Sequence, residues 1–292
     1  MNRPLTGELR RCRADTPIAA IGDALERDGG IVVRGLLSED VCAALETDLA
    51  PFVEARGQGF RPDNPHAFYG GNTRRVQGLA NKSATFVSQL LLHPTLLALA
   101  DRILLPNCGD YWLSQAETIY IGPRSEAQVL HRDDINWEIA ARLGIPLQIS
   151  VLCALGDFDA AAGATMVVPG SHTWAAGRAL DSAAASPIEM ERGDALVYLG
   201  SLVHGGGANT TPDRWRRALY LSYLVGWLTP EEAVAVSLDD DRARRLPARA
   251  RSLLGRANLR GLHRCDGSRV ELELWQLDEL DLERRAGAFD HR

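Results

Sequence analysis

Residues 131–133, His-Arg-Asp, are of types and spacing that could bind a metal ion. On an extended chain successive side chains point to opposite faces, so His131 and Asp133 point the same way. An imidazole and a carboxylate held side by side can be two ligands of one metal. A His-x-Asp triplet also occurs as an ordinary polar pair at a strand end, so this pair alone does not decide between the two interpretations.

A second histidine strengthens the metal interpretation. His204 follows an apolar run and opens the glycine-rich turn Gly205-Gly206-Gly207. Two histidines and one carboxylate that leave coordination positions open suit non-haem Fe(II) and oxygen chemistry. A catalytic zinc site could use the same three ligands, so these residues alone leave the metal open.

Two adjacent arginines begin a strand-like run at residues 216–225. Strand alternation places Arg216 on one face with Ala218, Tyr220 and Ser222, and Arg217 on the opposite face. Small or polar neighbours indicate that the Arg216 face is turned inward toward a site. A guanidinium there can bind a carboxylate through two parallel hydrogen bonds.

Helical patterns dominate the first hundred residues. Helices are predicted at residues 15–29, from the cap at Ser38 to just before Pro51, and at residues 84–91 and 94–104. The loop from Gly57 to Gly71 is rich in Gly and Pro and long enough to cover a pocket.

From Tyr111 onward the pattern changes to short strand-like runs separated by Gly, Pro and Asp. Many short strands at such intervals favour a mainly β sandwich or jelly-roll barrel with flanking helices. We expect one domain over residues 1–292, with N-terminal helices in 15–105, a core at about 111–228 and a C-terminal helical extension in 229–292. The predicted strands are a short one at 31–33 between the first two helices and, in the core, 111–121, 128–130, 146–155, 164–168, 195–199 and 216–225.

Composition narrows the class of partner. The 292 residues are 46% hydrophobic, and 32 Lys and Arg against 38 Asp and Glu give a net charge of −6, which argues against a general nucleic-acid binder. No apolar run reaches the roughly 18 residues of a membrane helix, and the first 15 residues lack the apolar centre of a signal peptide. The expectation is a cytoplasmic protein with no nucleic-acid or membrane partner. Five scattered cysteines suggest neither a disulfide framework nor a zinc-thiolate site.

Six short motifs along the chain resemble those of one known family and occur in the same order as in that family. On these motifs the sequence resembles the phytanoyl-CoA dioxygenase family of Fe(II)/2-oxoglutarate-dependent oxygenases over roughly residues 20–228. The resemblance is strongest to the branch that acts on terpenoid, meroterpenoid and alkaloid natural products. The motifs are His131-Arg132-Asp133, Gly163-Ala164-Thr165, Val168-Pro169-Gly170-Ser171-His172, Gly193-Asp194, His204-Gly205-Gly206-Gly207-Ala208-Asn209 and Arg216-Arg217-Ala218.

The resemblance implies a double-stranded β-helix core (jelly-roll, cupin-like) with Fe(II), 2-oxoglutarate and O2 as cofactor and co-substrates. It implies iron bound by His131, Asp133 and His204, and the far carboxylate of 2-oxoglutarate bound by Arg216. Further residues at matching positions are expected to touch the co-substrate: Gln128, Thr165 and Arg75, the last preferred to Arg74.

Gln128 has the opposite strand parity from His131, so both can face the site only if the segment twists or bulges. His172 is expected to be structural. His66 in the long loop is expected to be a solvent-exposed histidine, with contact to the substrate as the alternative. Trp137 could wall an apolar pocket, because it follows the metal motif closely.

The predicted activity is hydroxylation of a lipophilic natural product with release of succinate and CO2. Three alternatives remain open: an acyl-CoA hydroxylase of the same family, a zinc-dependent hydrolase or isomerase on a jelly roll, and a non-catalytic binding module. A homodimer is also left open.

Overall fold

The computed structural model describes residues 8–56, 67–69, 72–175, 178, 182–265 and 268–276. Strands and helices are numbered below in chain order. The strands are β1 (Arg11–Arg13), β2 (Gly30–Arg34), β3 (Thr73–Arg74), β4 (Tyr111–Ile121), β5 (Gln148–Ala154), β6 (Thr165–Val167), β7 (Ser186–Ile188), β8 (Ala195–Leu199), β9 (His204–Gly206), β10 (Arg216–Val225), β11 (Leu259–Cys265) and β12 (Ser268–Leu274).

Longer helices lie in the first third of the chain and short ones follow the core. The helices are α1 (Ile18–Asp28), α2 (Glu39–Ala55), α3 (Leu79–Lys82), α4 (Pro94–Leu104), α5 (Glu138–Ala141), α6 (Val234–Ser237), α7 (Asp240–Arg245) and α8 (Ala248–Leu253), with a π-helical segment at Phe86–Leu91 and 3-10 turns at Ala67–Tyr69, Asp133–Trp137, Ser171–Thr173 and Ser182–Ala184.

A seven-stranded sheet forms the centre, in the order β1-β2-β8-β5-β10-β4-β3. It is antiparallel except for the β1–β2 pair. Alternating residues of its strands join two separate apolar clusters. Val151 and Cys153 of β5 pack in the cluster that includes the apolar faces of α1, α2 and α4, whereas Leu152 and Ala154 pack in the other cluster. Both faces of the sheet are therefore buried, as the continuous apolar runs require.

A smaller sheet, in the order β7-β6-β9, supplies the other wall of the second cluster. Its strand β9 continues the pairing outward, because His204 and His131 exchange backbone hydrogen bonds of 2.8 and 2.9 Å across an isolated bridge. The segment that carries the metal motif thus lies beside β9, facing the inner side of the large sheet.

The structure corrects several expectations about elements. Residues 128–130 form no strand, and isolated bridges flank them at Ser125 and His131. Helix α2 continues through Pro51 to Ala55, because Leu45, Leu49 and Val53 keep an apolar stripe packed across the proline. Residues 86–91 are π-helical rather than α-helical.

The predicted outline of the whole chain also changes. In the N-terminal part the predicted strand at 31–33 forms as β2, and two strands that were not predicted, β1 and β3, also join the central sheet. The C-terminal extension is not helical throughout, since β11 and β12 pair as an antiparallel hairpin after α8. The core consists of strands, as predicted. Helices form a large part of the rest of the chain, so the predicted class 'mainly β' applies to the core and not to the chain as a whole. Of the loop from Gly57 to Gly71, residues 57–66 and 70–71 lie outside the described residues.

Candidate metal centre

His131, Asp133 and His204 come together at the opening between the two sheets. One possible ligand atom from each lies within 4.8 Å of the others. Asp133 Oδ1 is 3.6 Å from His131 Nε2 and 3.4 Å from His204 Nε2. Arg132 between the motif residues is extended, so the side chains of His131 and Asp133 do share a side even though Asp133 begins a 3-10 turn.

Both imidazoles are oriented by backbone carbonyls. His131 Nδ1 lies 2.9 Å from the carbonyl of Val129, and His204 Nδ1 lies 3.0 Å from that of Leu202. A carbonyl can only accept, so each Nδ1 carries the proton and each Nε2 keeps its lone pair. Burial, together with the neighbouring charge of His204, lowers the pKa of His131 to about 4. The His131 ring is therefore held in the neutral form that binds metal.

The second oxygen of Asp133 accepts hydrogen bonds from the large sheet. Ser150 Oγ on β5 donates to Asp133 Oδ2 at 2.9 Å, and the Tyr220 hydroxyl on β10 donates to the same atom at 3.2 Å. The two oxygens of this carboxylate consequently face different partners.

Arg216 is a buried cation that lines the same cavity as His131, Asp133 and His204, which we call the metal cavity. Arg216 is 2% exposed, and its guanidinium lies 4.6 Å from the centre of the Phe158 ring. Nη1 donates to the Gly163 carbonyl at 3.2 Å and to Thr165 Oγ1 at 3.3 Å, whereas Nε finds no acceptor within the described ranges. Burial lowers the pKa of Arg216 to about 9.

Among the described residues no carboxylate pairs with Arg216. A buried charge without a counter-ion is costly, so the arrangement fits an anionic ligand. Arg217 points the other way, as strand alternation predicts, and pairs with Glu46 of α2.

Gln128 and Thr165 also line this cavity. The side-chain oxygen Oε1 of Gln128 accepts a hydrogen bond from the backbone N–H of Gly206 at 3.1 Å. The backbone N–H of Gln128 donates to the Gly206 carbonyl at 2.8 Å. Since residues 128–130 are not a strand, the parity conflict with His131 does not arise. Thr165 is 3% exposed and touches Arg216 directly.

The two candidate arginines before the core separate clearly. Arg75 lines the metal cavity, forms an ion pair with the buried carboxylate of Glu117 and stacks 4.3 Å from the centre of the Tyr69 ring. Arg74 instead stacks 4.4 Å from the centre of the Trp215 ring and lines a different cavity. The structure therefore brings Arg75 to the site and leaves Arg74 outside it.

Two other residues that the sequence singled out, His172 and Trp137, do not line the metal cavity. His172 Nε2 is 3.1 Å from the carbonyl of Glu26, consistent with a structural role. Trp137 donates its indole N–H to the Thr229 carbonyl at 3.0 Å and does not line the cavity. His66 lies outside the described residues.

Sequence reasoning missed several polar residues in or beside the cavity, and three of them contact residues that it did single out. Tyr198 of β8 places its hydroxyl 3.2 Å from His204 Nε2, Ser150 bonds Asp133, and Glu117 pairs with Arg75. The signal was available in part, because each lies on an inward position of a strand whose bounds the apolar pattern indicates.

Comparison with known proteins shows to which family the chain belongs. The model of the family "Phytanoyl-CoA dioxygenase (PhyH)" matches residues 25–218. The chain belongs to the phytanoyl-CoA dioxygenase family. Membership confirms the predicted enzyme class, a non-haem Fe(II)/2-oxoglutarate-dependent oxygenase with those cofactors.

Relatives in this family include fungal dioxygenases. The chain is 36% identical to "Dioxygenase ALT11" of Alternaria alternata over 257 residues, which cover 85% of each chain. It is 34% identical to "Dioxygenase FUM3" of Gibberella moniliformis over 258 residues, again 85% of each.

Solved structures show the same fold. The epimerase SnoN from nogalamycin biosynthesis, in complex with Fe3+, alpha ketoglutarate and nogalamycin RO, matches with a TM-score of 0.56 at 20% identity, over 79% of this chain and 90% of that one. HygX from Streptomyces hygroscopicus, with nickel, 2-oxoglutarate and hygromycin B bound, matches with a TM-score of 0.54 at 20% identity, over 70% and 86%.

Proposed function

We propose that this chain is a dioxygenase that hydroxylates an apolar small-molecule natural product at a metal centre formed by His131, Asp133 and His204. The observation that carries the proposal is that these three residues share a cavity with Arg216, a buried guanidinium for which the described residues provide no counter-ion. We infer that the two facing sheets are the double-stranded β-helix expected from the sequence, within a single catalytic domain.

The donor set fits iron and 2-oxoglutarate. Two neutral imidazoles and one carboxylate are the ligands of non-haem Fe(II) oxygenases, and they leave positions free for co-substrates. Arg216 binds the far carboxylate of 2-oxoglutarate, and Thr165 and Gln128 line the same cavity. Arg75 approaches from the opposite wall while held by Glu117.

When bound, iron with 2-oxoglutarate and O2 supplies the oxidant that inserts one oxygen atom into a substrate C–H bond, and the other oxygen leaves in succinate as CO2 is released. The chain's own residues bind and orient the reactants and limit the access of water. Backbone carbonyls hold the two imidazoles, and the buried Arg216 sets the direction in which 2-oxoglutarate enters.

The cavity of about 760 Å³ is large enough for a drug-sized scaffold. Its apolar wall supports a lipophilic substrate and is formed by Phe68, Ile119, Ile121, Val129, Ile135 and Leu152.

The described wall offers little to an acyl-CoA phosphate. Arg75 is paired with Glu117, and Arg132 donates to the carbonyls of Ser171 and Trp174 at 3.3 and 3.2 Å. A zinc hydrolase on this scaffold would leave Arg216 without an anion to bind. Both alternatives therefore explain fewer of the buried charges.

The test is anaerobic loading of the protein with Fe(II) and 2-oxoglutarate, followed by exposure to O2 with a panel of lipophilic natural products. We expect succinate and a product heavier by one oxygen atom. His204→Ala should lose both bound iron and turnover, whereas His172→Ala, which removes a histidine outside the cavity, should keep the iron. Full iron content and full turnover in His204→Ala would remove the triad from this proposal.

A further inference from the structure

The carboxylate of Asp133 meets two distinct environments. Its Oδ1 faces the Nε2 atoms of both histidines at 3.6 and 3.4 Å. Its Oδ2 turns toward the large sheet and accepts hydrogen bonds from Ser150 Oγ at 2.9 Å and from the Tyr220 hydroxyl at 3.2 Å. The two oxygens are therefore not interchangeable.

The donors form a connected group on neighbouring strands. Ser150 is fully buried on β5 and Tyr220 is 6% exposed on β10, with their hydroxyl oxygens 3.1 Å apart. The buried amide of Gln148 donates through Nε2 to the Tyr220 oxygen at 3.1 Å. Because Tyr220 accepts from Gln148, its single proton is available for Asp133. The direction of the hydrogen bonds is thus set by the sheet.

The backbone around Asp133 does not by itself fix the rotation of its carboxylate. Asp133 is the first residue of a 3-10 turn, and the segment before it is joined to the small sheet by the bridge at His131 and by the hydrogen bonds of Gln128 to Gly206. A carboxylate free to rotate about its last torsion can offer a metal both oxygens, or neither. Two hydrogen bonds to the charged Oδ2 are of the stronger, charge-assisted kind, and they hold Oδ1 toward the histidines.

We propose that Ser150 and Tyr220 are positioning residues that restrict Asp133 to binding the metal through Oδ1 alone. This inference rests on the proposed ligation by Asp133. Binding through one oxygen keeps a coordination position for the co-substrates that a second oxygen would otherwise occupy. Groups that orient metal ligands typically affect metal affinity or activity by about 10- to 100-fold.

The test uses the full chain with Co(II), whose visible d–d absorption weakens as its coordination number rises. We expect Ser150→Ala and Tyr220→Phe each to bind Co(II) about 10- to 100-fold more weakly and to change the band intensity. A residue needed only for folding would alter thermal stability without altering this spectrum.

Matched controls lie on the same strand. Ser222→Ala removes a buried hydroxyl that has no hydrogen-bond partner among the described residues, and Tyr223→Phe removes one that donates to the Leu91 carbonyl at 2.8 Å on the helix side. Both should keep the wild-type affinity and spectrum. If Tyr220→Phe fails to fold because Gln148 loses its acceptor, Ser150→Ala still decides the question.

Two outcomes separate this inference from the proposed function. If Asp133→Ala loses Co(II) while Ser150→Ala and Tyr220→Phe match wild type in affinity and spectrum, the positioning role is wrong and the metal site stands. If Asp133→Ala binds Co(II) as wild type does, the proposed metal site itself is wrong.

Discussion

Arg216 and Arg217 are neighbours in the sequence but serve opposite sides of the large sheet. Arg216 is buried in the metal cavity with no counter-ion in the part of the chain that the structure describes, and Arg217 pairs with Glu46 on α2. This difference follows from strand alternation alone, so it was predictable from the sequence. The absence of a counter-ion was not, because it depends on what every other element leaves near the guanidinium.

Replacement of Arg216 should separate co-substrate binding from metal binding. Loss of a charge-assisted contact to a buried carboxylate costs about 2–5 kcal/mol, or roughly 30- to 5,000-fold in affinity. Titration of 2-oxoglutarate into Fe(II)-loaded Arg216→Ala should show that loss with iron still bound, whereas Arg217→Ala should resemble wild type. The reverse order would mean that the assignment of Arg216 to 2-oxoglutarate is wrong.

Glu231, which lines the metal cavity, should make the stability of the folded protein depend on pH. Burial, with the charge of Asp133 as the second cause, raises the pKa of Glu231 to about 7. The folded protein therefore holds this proton more tightly than the unfolded chain, and stability should fall as pH rises from the ordinary glutamate value through about 7.

Glu231→Gln should remove that contribution. Urea unfolding of the metal-free protein, compared between pH 5.5 and pH 8, should show a smaller loss of stability with rising pH in the variant than in wild type. An equal loss in the two proteins would show that Glu231 does not titrate in this window.

At the scale of elements, turn and cap residues explain which boundaries the sequence predicts well. Strands β4, β8 and β10 have the predicted bounds, because their apolar runs end at Gly, Pro or Asp. The hairpin β11–β12 was missed although Asp266-Gly267 stands between its strand sequences, a turn pair typical of hairpins. The arginine-rich stretch at residues 242–251 lies in the predicted C-terminal helical extension, and it does form helices, α7 and α8.

Helix α2 depends on its N-terminal cap. Ser38 is extended and its Oγ accepts from the Val41 amide at 3.3 Å. Ser38→Ala should lower the free energy of unfolding by about 1 kcal/mol, and Ser38→Asn, which can accept the same bond, should lose little. Urea denaturation of the two variants checks this. Equal destabilisation by Ala and Asn would show that the side-chain bond is not what Ser38 contributes.

At the scale of the molecule, the C-terminal hairpin is tied to the core through Gly109. A Cβ atom at this glycine would lie 2.3 Å from the Arg260 carbonyl oxygen of β11, closer than any packing allows. Nearby, Leu259 shares a small apolar cluster with Trp112 and Leu224. The hairpin and the start of β4 therefore fit together only with glycine at position 109.

Gly109→Ala should push the hairpin off the core. We expect faster amide hydrogen exchange in residues 259–274 and a loss of about 1–3 kcal/mol in unfolding free energy, with Co(II) affinity retained because Gly109 does not line the metal cavity. Gly156→Ala is the matched control, since its added methyl would meet only the flexible Arg217 side chain at 3.3 Å. Unchanged exchange in the hairpin would refute the close fit.

None of the helices in the described ranges combines the length and hydropathy needed to cross a membrane. What the sequence could not supply at this scale is the contact between distant segments: the ion pair of Arg75 with Glu117 and the donors around Asp133 join residues 42, 17 and 87 positions apart. Such contacts follow from the order of strands in the sheets, which local patterns do not determine.

The backbone bridge between His131 and His204 also bears on how the protein acquires its metal. Because main-chain carbonyls align the two imidazoles, we expect the chain to fold first and to take up its metal afterwards. A preassembled site with nitrogen and oxygen ligands accepts the divalent ions that bind such ligands more strongly than Fe(II) does, so the metal supply decides which one it receives. Protein produced in media supplemented with nickel, cobalt or iron should consequently carry the supplemented metal, and its activity should follow the fraction loaded with iron.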